Sequence, residues 1–289
     1  MEPTSEHPID PAIRAEILEQ LRAIEAEHRV QVLYACESGS RGWGFASPDS
    51  DYDVRFLYVH ALPWYLRVAP GRDVIERPLT AVLDINGWEL RKALGLLKKG
   101  NATLIEWLDS PVVYRADPVF LEALRTLARE VHQPERSFHH YVHMARRNHR
   151  EFLTREQVRL KKYLYVLRPL LATLWIEQGR GPAPTRFATL VEALIGDPEL
   201  HAAIDALLRI KRSARESEYG PPQPVIDAFI TGELARLEAV PPPRSPPFDG
   251  AGLDRLLLET VLNRGLSATA DSAGEANGEL SGQDTSRGC

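Results

Sequence analysis

After one leading helix, the hydrophobic pattern of this chain passes from strand runs to helical spacing and stays helical, and that order limits the folds open to it. Val30 to Glu37 (VQVLYACE) and Tyr52 to His60 (YDVRFLYVH) are β-branched and aromatic runs of strand length. After Asn86 the apolar residues recur at helical spacing instead, beginning with Leu90, Ala93, Leu94 and Leu97. Strands followed by helices argue for an α+β N-terminal domain joined to a helical C-terminal domain. A helix over 11–27 precedes the first strand, with Asp10 as N-cap, Pro11 at the first helical position, and Ile13, Ile17, Leu21 and Ile24 along one side. Two further strands, Asp73 to Arg77 and Leu79 to Ile85, flank a turn at Pro78. A short helix follows over Asn101 to Leu108. Later helices are expected near 118–130, 137–178, 187–195, 198–212 and 223–238, with Pro169 kinking or splitting the second. The domains read as 1–115, 116–240, a Pro-rich linker with a short helix over 241–266, and an acidic tail over 267–289 too poor in large apolar side chains to order.

Composition removes several classes of function. Cys36 and Cys289 are the only cysteines, which excludes a disulfide framework and a thiolate metal cage. No apolar run approaches the ~20 residues of a membrane span, so no membrane partner is expected. The N-terminus MEPTSEHPID lacks the apolar stretch of a secretory signal, and a cytoplasmic location is the expectation. The net charge of −5 hides a basic segment: between Arg146 and Arg168, eight Lys and Arg face only Glu151 and Glu156. Such a run is either a solvated helix face or a wall that binds polyphosphate.

The chemistry concentrates in Gly39-Ser40, ten intervening residues, then Asp51-Tyr52-Asp53. Side chains at i and i+2 on a strand share a face, so Asp51 and Asp53 present two carboxylates together. Like charges so placed repel unless a cation lies between them, and hard oxygen donors suit Mg²⁺ or Mn²⁺. A Gly-Ser turn at a strand end offers backbone N–H groups and the Ser40 hydroxyl to phosphate oxygens. Carboxylates for a metal opposite a phosphate-holding turn describe nucleotidyl transfer from an NTP. A plain surface turn is the alternative, since Ser, Pro and Asp are turn formers. Trp43, inside the glycine crossing, either stacks on a base or packs under the loop. His139 and His143 fall at i and i+4, but no carboxylate or thiolate at zinc-site spacing accompanies them.

These residues resemble the signature of polymerase-β-type nucleotidyltransferases. Three blocks, ESGSRGWGFASPDSDYDVRFLYV, LDINGWELRKALGLLKKGNATLIEWLDSPVVY and RLKKYLYVLRPLLATLWIE, are similar to the RNA-ligase-associated, RNA-repair-pathway family of predicted nucleotidyltransferases, over roughly residues 10 to 240. The resemblance implies the minimal nucleotidyltransferase fold, a mixed sheet flanked by helices, over 1–115, followed by the helical domain. It also implies a third carboxylate on a later strand. Asp84 fits that role, as metal ligand or base; its alternative is an N-cap for a helix starting near Gly87, and Glu76 is the fallback. Lys161, Tyr165 and Arg168 recur at i, i+4 and i+7 on one helix face. In resembling enzymes that helix is the far wall of the nucleotide cleft, so Lys161, Lys162, Tyr165 and Arg168 join Gly39 and Ser40 as expected nucleotide contacts. The expected activity is Mg²⁺-dependent transfer of an NMP from an NTP such as ATP to a hydroxyl of an RNA end, a protein side chain or a small molecule, and the resemblance tilts the choice to RNA. A non-catalytic RNA-binding or antitoxin-like module on the same fold is the second reading.

Overall fold

Strands β1 (Val30–Glu37), β2 (Tyr52–His60), β3 (Val74–Glu76), β4 (Leu83–Glu89) and β5 (Val113–Ala116) form one mixed sheet in the order β3-β4-β2-β1-β5. The computed structural model describes residues 9–80, 82–213 and 219–263. Strand β1 runs antiparallel to β2 and β5, β2 runs parallel to β4, and β4 runs antiparallel to β3. The first helix, α1 (Pro11–His28), starts as its cap predicts, with Asp10 accepting a hydrogen bond from the Ala12 N–H at 2.7 Å. Its buried side, Ile17, Leu21 and Ile24, packs on one sheet face against Val54, Phe56 and Tyr58. Each such side chain is worth about 1.5 to 3 kcal/mol when fully buried.

A bulge in β1 between Val32 and Tyr34 shifts its alternation by one residue. Val32 and Ala35 therefore belong to the α1-side core, while Leu33, Tyr34 and Cys36 face the other side. That second face is covered by α4 (Leu90–Lys98), α5 (Ala102–Leu108) and α6 (Pro118–Glu130), which close over Leu57 and Val59. The cover stops short of the start of β2. Asp53 and Arg55, of the same strand parity as Leu57 and Val59, are left half-buried at the open end.

Strand β4 begins later and runs further than the sequence predicts. Its parallel register with β2 continues to Tyr58↔Glu89, so 86–89 stay extended and α4 starts only at Leu90. The cap is Glu89, which accepts from the Lys92 N–H at 3.1 Å; Asp84 is the second residue of β4 and not a cap. Gly87 permits the arrangement, because a Cβ there would lie 2.2 Å from the Phe56 ring.

The helical region contains α7 (Pro134–Phe152), α8 (Lys161–Glu177), α9 (Phe187–Leu194), α10 (Pro198–Ser213) and α11 (Pro224–Ala239). The expected long helix over 137–178 is broken at 153–160, where β6 (Val158–Arg159) pairs with β7 (Tyr219–Gly220), and not at Pro169. Pro169 remains inside α8. Its missing N–H would leave the Tyr165 carbonyl without a donor, and Asn148 of α7 supplies one through Nδ2 at 2.8 Å.

The sheet-side core draws on residues from well beyond the sheet. Phe120, Leu121 and Leu124 of α6 belong to the sheet-side core, and so do Leu253, Leu256 and Val261 of a last helix over 251–263. The Pro-rich segment thus returns the chain to the sheet-side core. The tail over 267–289 lies outside the described residues. Among the described residues, no helix is long and apolar enough to cross a membrane.

Candidate active site

Asp53 on β2 and Asp84 on β4 are in-register partners of a parallel pair, on strands that such pairing holds about 4.8 Å apart. Both side chains leave the same sheet face. Arg55, two residues further along β2, donates from Nη2 to Asp53 Oδ1 at 3.1 Å and to Asp84 Oδ2 at 2.7 Å, and from Nη1 to the Asp84 carbonyl at 3.0 Å. Asp51 is exposed just ahead of the strand. Partial burial pushes the Asp53 carboxyl above its ordinary range; the Arg55 charge opposes that shift, and the like charges of Asp84 and Asp51 add to it.

The Gly-Ser turn lies directly against this acid. Ser38 donates its N–H to the Asp53 carbonyl at 2.8 Å, and Gly39 follows with φ +56°. A Cβ on Gly39 would fall 1.9 Å from Asp53 Oδ2, so only glycine allows the backbone and the carboxylate to approach this closely. The turn then coils into one short helix, α2 (Gly39–Trp43), with Ser40 buried inside it.

Residues that sequence reasoning passed over hold both parts in place. Glu37, 0% exposed, accepts from the Asp53 N–H at 2.8 Å and from the Tyr114 hydroxyl at 2.5 Å. Its burial pushes the carboxyl up to about 7. Arg41 donates to the carbonyls of Ser50 (2.7 Å) and Asp51 (3.2 Å) and lies over the Tyr52 ring at 3.9 Å, tying α2 to the acidic loop. From α10, Lys211 reaches the same loop and donates to Ser47 Oγ at 2.8 Å. Arg55 was legible in principle: it continues the i, i+2 series of Asp51 and Asp53. Glu37 carried the weaker signal of a charge closing a strand otherwise composed of buried residues.

The helical wall meets the turn through aromatic rings. Tyr165 packs edge-on to Trp43 (5.6 Å between centroids) and Phe45 (6.1 Å), so Trp43 packs beneath the loop. Lys162 Nζ lies 4.0 Å from the Phe152 ring centroid and 5.0 Å from that of Tyr165. Lys161 is half-buried at the start of α8.

Arg168 departs from expectation. It is 1% exposed, donates from Nη1 to Glu106 Oε1 at 2.7 Å and lies over Trp43 at 5.0 Å. Glu106, on α5, also accepts from Tyr141 of α7 (2.7 Å) and Trp43 of α2 (3.3 Å). The guanidinium is thus an internal strut joining α8 to the glycine turn, and no part of it is open to a phosphate. The fallback acid Glu76 is likewise engaged elsewhere, accepting from Asn86 and Arg72.

The donor set fits a hard divalent cation in kind. All the oxygens are carboxylate, Asp53 carries an excess of negative neighbours, and Arg55 holds positive charge between the two acids. Among the described residues, no group of three His, Cys, Asp or Glu side chains is drawn together closely enough to form a ready-made metal cage.

Residues 13–259 match the family described as RlaP, RNA repair pathway DNA polymerase beta family. The chain belongs to that family. A protein of Bacillus subtilis (strain 168) named "Uncharacterized protein YcgL" is 45% identical over 251 residues, which cover 86% of this chain and 96% of that one. Among solved structures, a nucleotidyltransferase-like protein from Exiguobacterium sibiricum 255-15 is similar at 16% identity, over 85% of this chain and 76% of that one. Its TM-score is 0.28, too loose a superposition to carry any shared detail. As an RlaP-family chain, the protein is a polymerase-β-type nucleotidyltransferase by descent, linked to RNA repair, with an α+β fold whose mixed sheet precedes a helical region.

Proposed function

We propose that the chain transfers an NMP from an NTP to a hydroxyl acceptor, with an RNA end as the favoured acceptor. The observation that carries this reading is the contact between the Gly39 backbone and the Asp53 carboxylate, with Asp84 in register beside it. Asp51, Asp53 and Asp84 are the residues that would hold Mg²⁺ or Mn²⁺, which when bound supplies charge neutralisation and orientation for a triphosphate. Gly39 and Ser40 hold phosphate oxygens, and Lys161 and Lys162 add positive charge from the helical wall, with Tyr165 positioning that wall against α2. The acceptor oxygen bonds to the α-phosphorus as the α–β phosphoanhydride bond breaks, releasing pyrophosphate. Asp84, the more exposed of the paired acids, takes the hydroxyl proton.

One observation favours the second reading, a non-catalytic module: Arg55 already lies between the two carboxylates and offsets one of their two charges. Incubation with each α-labelled NTP, RNA and Mg²⁺ separates the two. Transfer of label by wild type and not by Asp51→Asn/Asp53→Asn supports the enzyme. RNA binding that survives the double substitution, with no transfer by wild type from any NTP, supports the module.

A further inference from the structure

Helix α7 buries Phe138, Tyr141, Val142 and Ala145 and turns its other side to solvent. Between Arg136 and Arg150 every exposed position on it is a guanidinium or an imidazole: Arg136, His139, His143, Arg147 and Arg150. Spacings of three and four residues place all five on one stripe, about 21 Å long at the helical rise. The acids of the helix, Glu135 and Glu151, flank the stripe at its two ends. His139 and His143 have ring centroids 5.8 Å apart with planes tilted by 32°, a small aromatic platform midway along the stripe. Beside it, a groove of about 570 Å³ between α7 and α11 is lined by His143, Arg146, His149 and Arg150, with Thr231 and Glu238 opposite.

Both ends of the stripe continue in basic residues. Arg136 donates to the Lys99 carbonyl at 3.0 Å, which brings the exposed Lys98 and Lys99 alongside. At the other end Phe152 lies beneath Lys162, whose neighbour Tyr165 packs on Trp43 at the base of the glycine turn. That end of the stripe is therefore linked, through Phe152, Lys162 and Tyr165, to the packing beneath the glycine turn.

We propose that this face of α7 is the track along which a single-stranded RNA acceptor lies, an inference that rests on the reading of the chain as an RNA-directed transferase. Arginines at helical spacing neutralise successive phosphates without reading sequence, and imidazole rings stack on unpaired bases. A protein partner fits less well, since such interfaces have an apolar centre and the exposed large apolar side chains of the described residues all lie on other elements.

The test is fluorescence anisotropy of a labelled oligouridylate on the full chain, titrated at several salt concentrations. Arg136→Glu/Arg147→Glu/Arg150→Glu, all surface changes, is expected to weaken binding by at least about tenfold. It should also flatten the slope of log K against log salt by about two, at ~0.7 per lost phosphate contact on a single strand. His139→Ala/His143→Ala should weaken binding about fivefold or more and leave that slope unchanged. Mg²⁺-ATP binding should be the same in all three proteins. RNA affinity and slope retained in the folded triple variant would overturn the track, and so would displacement of the RNA by oligoglutamate as readily as by unlabelled RNA. Stripe-dependent RNA binding by a wild type that transfers no label would uphold the track while defeating the enzymatic reading.

Discussion

Asp53 and Asp84 face each other across a parallel strand pair, and the Nη2 of Arg55 bonds to both carboxylates. A partly desolvated acid with like charges beside it costs stability when ionised. Asp53, whose pKa is raised, weakens the metal-free fold at neutral pH and ceases to do so as pH falls through its folded value. On the proposed reading the acids stand together for the metal they would hold, against the interest of the fold.

Asp53→Asn is therefore expected to separate activity from stability. Nucleotidyl transfer should fall by about a hundred- to a thousandfold, the scale of losing a group that stabilises developing charge. The melting temperature in EDTA at pH 7 should rise. Calorimetry beside the transfer assay checks both, and a lowered melting temperature would contradict the electrostatic account.

Glu37 gives the protein a pH dependence of defined sign. Its carboxyl is held up to about 7 by burial, against an ordinary value of 4.5, so between those limits the folded state binds the extra proton. Its stabilising contribution is complete below pH 4.5 and is lost as pH rises through about 7. The stability of wild type relative to Glu37→Gln should therefore decline from pH 5 to pH 7 and level off above that, as followed by urea melts across the range. A flat difference would mean that Glu37 is ionised throughout.

Gly39→Ala meets two obstacles at once. Left-handed backbone costs an L-residue about 1 to 2 kcal/mol, and the added methyl would lie 1.9 Å from Asp53 Oδ2. The variant should lose at least that stability and most of its nucleotide affinity, measured by denaturation and by titration of Mg²⁺-ATP.

Arg168→Ala would strand Glu106 in the interior between Trp43 and Tyr141. Breaking a buried pair in this way costs about 3 to 5 kcal/mol, so the chief effect should be on unfolding free energy. A variant of wild-type stability with a raised KM for the NTP would return Arg168 to the phosphate site.

Much of this was readable from the chain itself, for local reasons. Strands β1 and β2 are bounded by turn residues and have the expected limits; alternation along β2 sets Asp53 beside Arg55, whereas Asp51 lies just ahead of the strand. Asp84 was placed on its strand, but that strand's extent was not evident, because Asn86-Gly87 reads as a turn until Phe56 is seen lying across the glycine. Helical spacing put Arg168 and Tyr165 on one face and could not say that the face turns inward. That depends on Glu106, distant in sequence and on another helix. Pro169 was read as a break because nothing in its neighbourhood reveals that Asn148 serves the carbonyl it leaves open.

The most direct test of the central claim is a count of bound Mn²⁺ by electron paramagnetic resonance, on wild type and on Asp53→Asn/Asp84→Asn, with and without a non-hydrolysable ATP analogue. The account predicts that wild type binds Mn²⁺ more tightly once the analogue is present and that the double variant loses this nucleotide-dependent binding while remaining folded. Equal nucleotide-dependent Mn²⁺ binding by both proteins would contradict it, because the carboxylates of β2 and β4 would then not be the metal's ligands.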